Sequence, residues 1–275
     1  MGGSIEDRVA AHYAGAGLHE RIMERLAAAG IAPDRVTAED LKPVDEFHIG
    51  GAEATAALLD QLDIGTEARV LDVGCGIGGP ARMIAARTGA RVTGIDLTPD
   101  FVETARRLTA TVGLAAHFVV GSALDLPFAD GSFEFATLIH VGMNLPDKPR
   151  LFAEVARVLA PGGSFAVYDV MRFGDHPAFP LPWADDAGSS FLETPDAYLT
   201  AADAAGFTLV ARRDRGEVAR DFFARMQSAM RSGQMPPVGL PLLLGAAAET
   251  KIANMVAAVA AGDIQPVEMI FRKTD

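Results

Sequence analysis

One cysteine, Cys75, among 275 residues leaves no internal disulfide to form and suits a reducing compartment. Positive charge is short. Against 36 acidic residues stand 24 Lys and Arg, a net charge of −12 that offers no broad basic surface to phosphates and excludes a nucleic-acid partner. The densest basic cluster, Arg212-Arg213-Asp214-Arg215, is interrupted by an acid and reads as a solvated strand end. Long apolar runs are missing too: Val238 to Ala261 is broken by Glu249, Lys251 and Asn254, so no membrane partner is expected. Met1 to Ala10 carries acids instead of an apolar secretory core, and Glu6 stands where N-myristoylation wants Ser or Thr. There is no internal repeat and no low-complexity linker. A soluble, cytoplasmic protein is expected.

What is present is a folded composition, 49% hydrophobic and 22% charged. The chain is organised around Val70-Leu71-Asp72-Val73-Gly74-Cys75-Gly76-Ile77-Gly78-Gly79. A short apolar run breaks into a glycine turn, and the Ala-rich segment from Pro80 to Arg87 follows as a helix. That order presents backbone N–H groups and a helix N-terminus to a nucleotide-like ligand. Gly74, Gly76 and Gly79 also satisfy G-x-G-x-x-G, so an NAD-dependent oxidoreductase stays open. Asp72 argues against it, because a carboxylate beside the cradle repels a pyrophosphate. It suits an ammonium group, and S-adenosylmethionine brings an ammonium, a sulfonium and an adenosine without phosphate.

Along the chain, residues 5–30 read as a helix, Asp45 to Gly51 as a loop, and Ala52 to Leu62 as a second helix. Strands are expected at 91–96, 117–120, 132–139 and 164–170, with helices from Thr98 to about Val112 and from Lys148 to Leu159 between them. Alternating strands and helices mean βαβ units and a parallel sheet. Arg172 to Ser190, with Pro177, Pro180 and Pro182, reads as a long loop or lid. Thr194 to Gly206 is a helix, 207–213 and 267–272 are the last strands, and Glu217 to Gly262 is a helical insertion between them. The fold class is therefore α/β: a Rossmann-like, doubly wound, mostly parallel seven-stranded sheet with the last strand antiparallel. Residues 1–64 are expected to form N-terminal helices and a cofactor-covering loop. Residues 65–215 with 264–275 form the core, and 216–263 a cap, all in one integrated domain.

In such a sheet ligands bind beyond the carboxyl ends of the strands. Asp96, ending the second strand, can accept both hydroxyls of a ribose or cap the following helix. Ser122, Ala123 and Leu124, after the third strand, offer a polar side chain and backbone amides to the edge of an adenine. Leu97 and Leu124 could close on its faces, although Leu124 and Leu126 suit core packing equally. His140, Val141, Gly142, Met143 and Asn144, after the fourth strand, would face the methyl group and its acceptor.

Val70–Gly79, Gly94-Ile95-Asp96, Leu126-Pro127-Phe128, Asp130-Gly131-Ser132-Phe133-Glu134 and Arg157-Val158-Leu159-Ala160-Pro161-Gly162-Gly163 resemble, in order, the motifs of class I S-adenosylmethionine-dependent methyltransferases. The chain is similar to the small-molecule branch: sarcosine/dimethylglycine, tocopherol, ubiquinone and sugar methyltransferases. The resemblance runs from about Phe47 to Val170. It implies that Asp72, Gly74, Cys75 and Gly76 hold the methionyl end, Asp96 the ribose, Leu97 the adenine face, and Ser122 and Ala123 the adenine edge. Many members carry Asp where Ser122 stands, and Ser is a weaker neutral acceptor. His140 would contact the methionyl part and open the acceptor pocket, while Tyr13, Phe47 and His48 would cover the cofactor.

A sulfonium already activates its methyl group, so a base matters only if the acceptor arrives protonated; His140 is the candidate. His12 and His19 share a helix face without a third ligand, so no metal is expected. Aromatic residues are only 7% of the chain, yet Phe179, Trp183, Phe191, Tyr198 and Phe222-Phe223 gather in the lid and the insertion. Met143, Asn144, Phe179, Trp183 and Phe222 are the expected acceptor pocket. An aromatic enclosure suits an amine that becomes cationic on methylation, and Phe47-His48-Ile49-Gly50-Gly51 resembles the sarcosine/dimethylglycine group. O- or C-methylation of a quinone, phenol or other natural product is the alternative, and a non-catalytic cofactor binder a further one. A homodimer is left open.

Overall fold

The computed structural model describes Glu6 and residues 17–274. Among the described residues, the helices α1 (Leu18–Ala28), α2 (Ala38–Asp45) and α3 (Gly51–Leu59) precede β1 (Arg69–Val73). Then follow α4 (Gly79–Thr88), β2 (Arg91–Asp96), α5 (Pro99–Thr111), β3 (His117–Val120), β4 (Phe133–Ile139), α6 (Lys148–Val158) and β5 (Leu159–Arg172). The last part holds α7 (Pro195–Ala204), β6 (Phe207–Asp214), α8 (Gly216–Ser232), the short α9 (Leu240–Leu244), α10 (Ala248–Ala261) and β7 (Ile264–Lys273). None of the described helices is long and apolar enough to cross a membrane.

The strands form one seven-stranded sheet in the order β3-β2-β1-β4-β5-β7-β6. β1 to β5 pair in parallel, while β7 runs antiparallel to both β5 and β6. This is the expected Rossmann-like sheet with its last strand reversed. Local chemistry sets the helix boundaries. Thr98 and Asp147 precede α5 and α6, each with a proline in the first turn, where its missing N–H is no loss. The Asp147 carboxylate accepts the Arg150 N–H at 2.8 Å. Leu151, Phe152, Val155 and Val158 then fall on one buried face of α6.

Several expected boundaries move, among them the start of β7, at Ile264 instead of Val267. The helix after the covering loop ends at Leu59 instead of Leu62. The fifth strand begins at Leu159 instead of Ser164, because Leu159 already pairs with Phe133 before the register shifts at Phe135. Phe152, Phe165, Phe207 and Phe271 pack edge-on or tilted against one another beside the β5–β7 pair. Each buried ring contributes about 1.5–3 kcal/mol by leaving water. A second apolar cluster, with Ile49, Val170, Trp183 and Met255, lies under the 173–193 segment.

Candidate active site

At the carboxyl edge of β3, β2, β1 and β4 lies a cleft. The glycine turn brings its walls together. Gly74 has φ 71°, and a side chain there would meet Val141 Cγ2 at 2.4 Å. Only a glycine lets the ends of β1 and β4 close on each other. A Cβ on Gly79 would stand 2.4 Å from the Asp45 carbonyl oxygen, so the loop after α2 rests directly on the start of α4. Below that contact Arg82 Nε donates to Asp45 at 3.3 Å and Nη1 to Thr109 at 2.9 Å, with both members of the ion pair buried. Burial, opposed by the guanidinium, raises the Asp45 carboxyl to about 6.

Of the sequence-expected cofactor residues, Phe47, His48, Gly74, Cys75, Gly76, Asp96, Leu97, Ser122, Ala123 and His140 line this cleft together. Asp72 lies behind the wall, 1% exposed, accepting from Thr137 Oγ1 at 2.8 Å through one oxygen while the other has no partner. Burial is the main cause that lifts it to about 7, with Glu46 and Asp96 adding repulsion. An orphaned buried carboxylate oxygen behind a glycine cradle fits a cationic ammonium. Asp96 accepts from Gly76 N and Thr98 N, each at 2.9 Å. It therefore caps the turn, and its remaining lone pairs are the ones a diol would use. Leu124 does not line the cleft; it packs against the main core. Tyr13 and His12 lie outside the described residues.

His140 ends β4 with φ 54°, a left-handed backbone that a non-glycine residue holds at a cost of order 1 kcal/mol. Its N–H donates to the Tyr168 carbonyl at 2.8 Å, and its Nε2 is buried without a partner. Burial, then the charge of His48, pushes it well below the ordinary histidine range, so it is a neutral imidazole at pH 7. The rings of His48 and His140 stand 5.5 Å apart. His48 Nε2 donates to Glu46 at 2.8 Å, and Thr55 Oγ1 donates to the same carboxylate at 2.7 Å.

Beyond this pair a second cavity opens. Met143, Trp183 and Phe222, expected for the acceptor, line it with Phe223, Leu244, Ile252 and Met255. Asn144 lines the first cleft instead, and Phe179 packs on the apolar cluster under the lid. Phe47, His48 and His140 belong to both cavities. Sequence reasoning missed Glu6 and Asp45, which line the cleft, and the contribution of α9 and α10 to the second cavity. The acids around Phe47 were a signal for Asp45; Glu6, 116 residues from its partner Ser122, left none.

Comparison with known proteins agrees. The family described as "Methyltransferase domain" matches residues 71–167. Methyltransferase GfsG of Streptomyces halstedii is 36% identical over 137 residues, 49% of each chain. Tocopherol O-methyltransferase of Arabidopsis thaliana is 44% identical over 101 residues, 36% of this chain and 29% of that protein. The chain spans about half or less of the length of these curated relatives. In fold it resembles geranyl diphosphate C-methyltransferase from Streptomyces coelicolor A3(2), with a TM-score of 0.69, 18% identity and 99% of each chain covered. The family match is thus confined to residues 71–167, where this chain is similar to methyltransferase domains.

Proposed function

We propose that the chain transfers a methyl group from S-adenosylmethionine to an oxygen or carbon nucleophile of a small apolar acceptor. The observation that carries this reading is the shared wall: Phe47, His48 and His140 face both the cofactor-shaped cleft and the second cavity. Gly74 to Gly76 and Asp72 would hold the methionyl end, Asp96 the ribose, and the Ser122 turn the adenine. The sulfonium supplies an activated methyl group, so positioning and exclusion of water do most of the work. Phe47 and the lid close the reacting region. His140, neutral and with Nε2 unpartnered, can take the proton of a hydroxyl as it attacks and pass it to solvent.

The acceptor cavity supports the alternative chemistry better than the amine. Apart from two imidazoles, its described lining is hydrocarbon and aromatic, without Lys or Arg for a carboxylate and without an acid for an ammonium. A small amino acid such as sarcosine would bring both charges into it. N-methylation of an amine keeps support only from the ring faces of Trp183 and Phe222. The test is a panel of phenols, quinols and small amines scored for S-adenosylhomocysteine formation. Turnover is expected with apolar phenols or quinols, and His140→Ala should lower kcat about 10²-fold. Faster turnover of sarcosine or dimethylglycine would reverse the acceptor assignment.

A further inference from the structure

Ser122 does not stand alone at its end of the cleft. Its Oγ–H donates to the Glu6 carboxylate, and its Oγ accepts the Leu124 N–H at 3.0 Å. The hydroxyl has therefore given away its only proton and filled one of its two acceptor positions. Glu6 also lines the cleft, beside Leu97 and Phe101. The sheet order places this corner, at the ends of β3 and β2, farthest from His140 on β4. A cofactor laid across the strand ends with its sulfonium near His140 puts its purine here.

We infer that Glu6 is the group that recognises the exocyclic amine of the adenine, with Ser122 orienting it. The inference rests on the reading of the cleft as an S-adenosylmethionine site. A carboxylate offers about four lone-pair positions, and Ser122 takes one. An adenine amine is a donor and can fill another. A 6-oxo purine presents an oxygen at the same place, so two acceptors would meet without a proton between them, which this part-buried corner disfavours. Glu6 thereby makes the cleft selective for adenosyl over inosyl cofactors, a discrimination that a lone serine hydroxyl, able to donate or accept, would not enforce.

Calorimetry on the full chain with S-adenosylhomocysteine and with S-inosylhomocysteine tests this. The wild type is expected to prefer the adenosyl compound by at least about tenfold. Glu6→Gln, whose amide can donate to a 6-oxo group, should shrink that preference about tenfold or invert it. Ser122→Ala, which frees the carboxylate to wander, should reduce it by a smaller factor. An adenosyl/inosyl ratio unchanged in both variants, with both ligands weakened equally or not at all, overturns the role given to Glu6 while leaving the cofactor in place. Failure of S-adenosylhomocysteine to bind the wild type overturns both readings.

Discussion

Asp72 and His140 are buried titratable side chains with an unsatisfied atom each, and burial moves both toward neutrality. For Asp72, raised to about 7 from the ordinary 3.8, the empty protein holds a proton that a solvated aspartate would have lost. An ammonium beside it favours the ionised form and expels that proton. Affinity for S-adenosylhomocysteine should therefore rise with pH through about 7 and level off above it. Asp72→Asn should bind more weakly with a flatter profile, which calorimetry across pH 6 to 8 would read. Stability of the empty fold runs the other way. The folded chain binds this proton more tightly than the unfolded one, so the contribution of Asp72 is lost as pH climbs from 3.8 to about 7. Asp72, Asp96 and His140 could be singled out in the sequence because each lies within, at the end of or just after a strand whose motif is local. Glu6 and Thr55 were not, because their partners come from other segments and no local spacing encodes the meeting.

At the scale of elements, the loop between α2 and α3 is latched onto α4. Gly79 leaves no room beneath the Asp45 carbonyl, and Arg82 reaches back to the Asp45 carboxylate. Gly79→Ala should push the loop outward and cost about 1–3 kcal/mol by overpacking, with S-adenosylhomocysteine affinity falling about tenfold or more. Arg82→Met strands a buried carboxylate and should cost about 3–5 kcal/mol in urea unfolding, whereas the Arg82→Met/Asp45→Leu pair should recover most of that. Helix starts and stops were readable where Pro, Gly, Thr or Asp punctuate them. The start of β5 was not: Pro161-Gly162-Gly163 looks like a turn before a strand, and only pairing with β4 draws Leu159 into the sheet.

Across the whole molecule, the second cavity is assembled from the covering loop, the end of β4, the lid and the helices between β6 and β7. Among the contacts that pin the lid to α10 are Lys251 Nζ to Asp185 at 3.0 Å and Asn254 Nδ2 to the Pro180 carbonyl at 3.0 Å. Lys251→Ala should speed protease cleavage within residues 173–193 and raise the acceptor KM, with S-adenosylhomocysteine affinity changed by less than about twofold, since the lid is remote from the adenine end. The parallel sheet and the insertion could be read from alternation. Of the second cavity's walls, Met143, Trp183 and Phe222 were expected, whereas Leu244, Ile252 and Met255 were not, because their apolar sequence pattern equally suits a core.

β7 is the final strand in order, yet it lies inside the sheet between β5 and β6. A nascent chain that has emerged only as far as Asp263 therefore holds two strand edges with a slot between them. Pairing β7 with β5 closes a long loop, and such non-local contacts form late and slowly. During synthesis the slot exposes the backbone groups of β5 and one face of the aromatic core, a surface that invites association with another unfinished chain. The slot closes only once residues 264–273 have emerged and paired with β5 and β6.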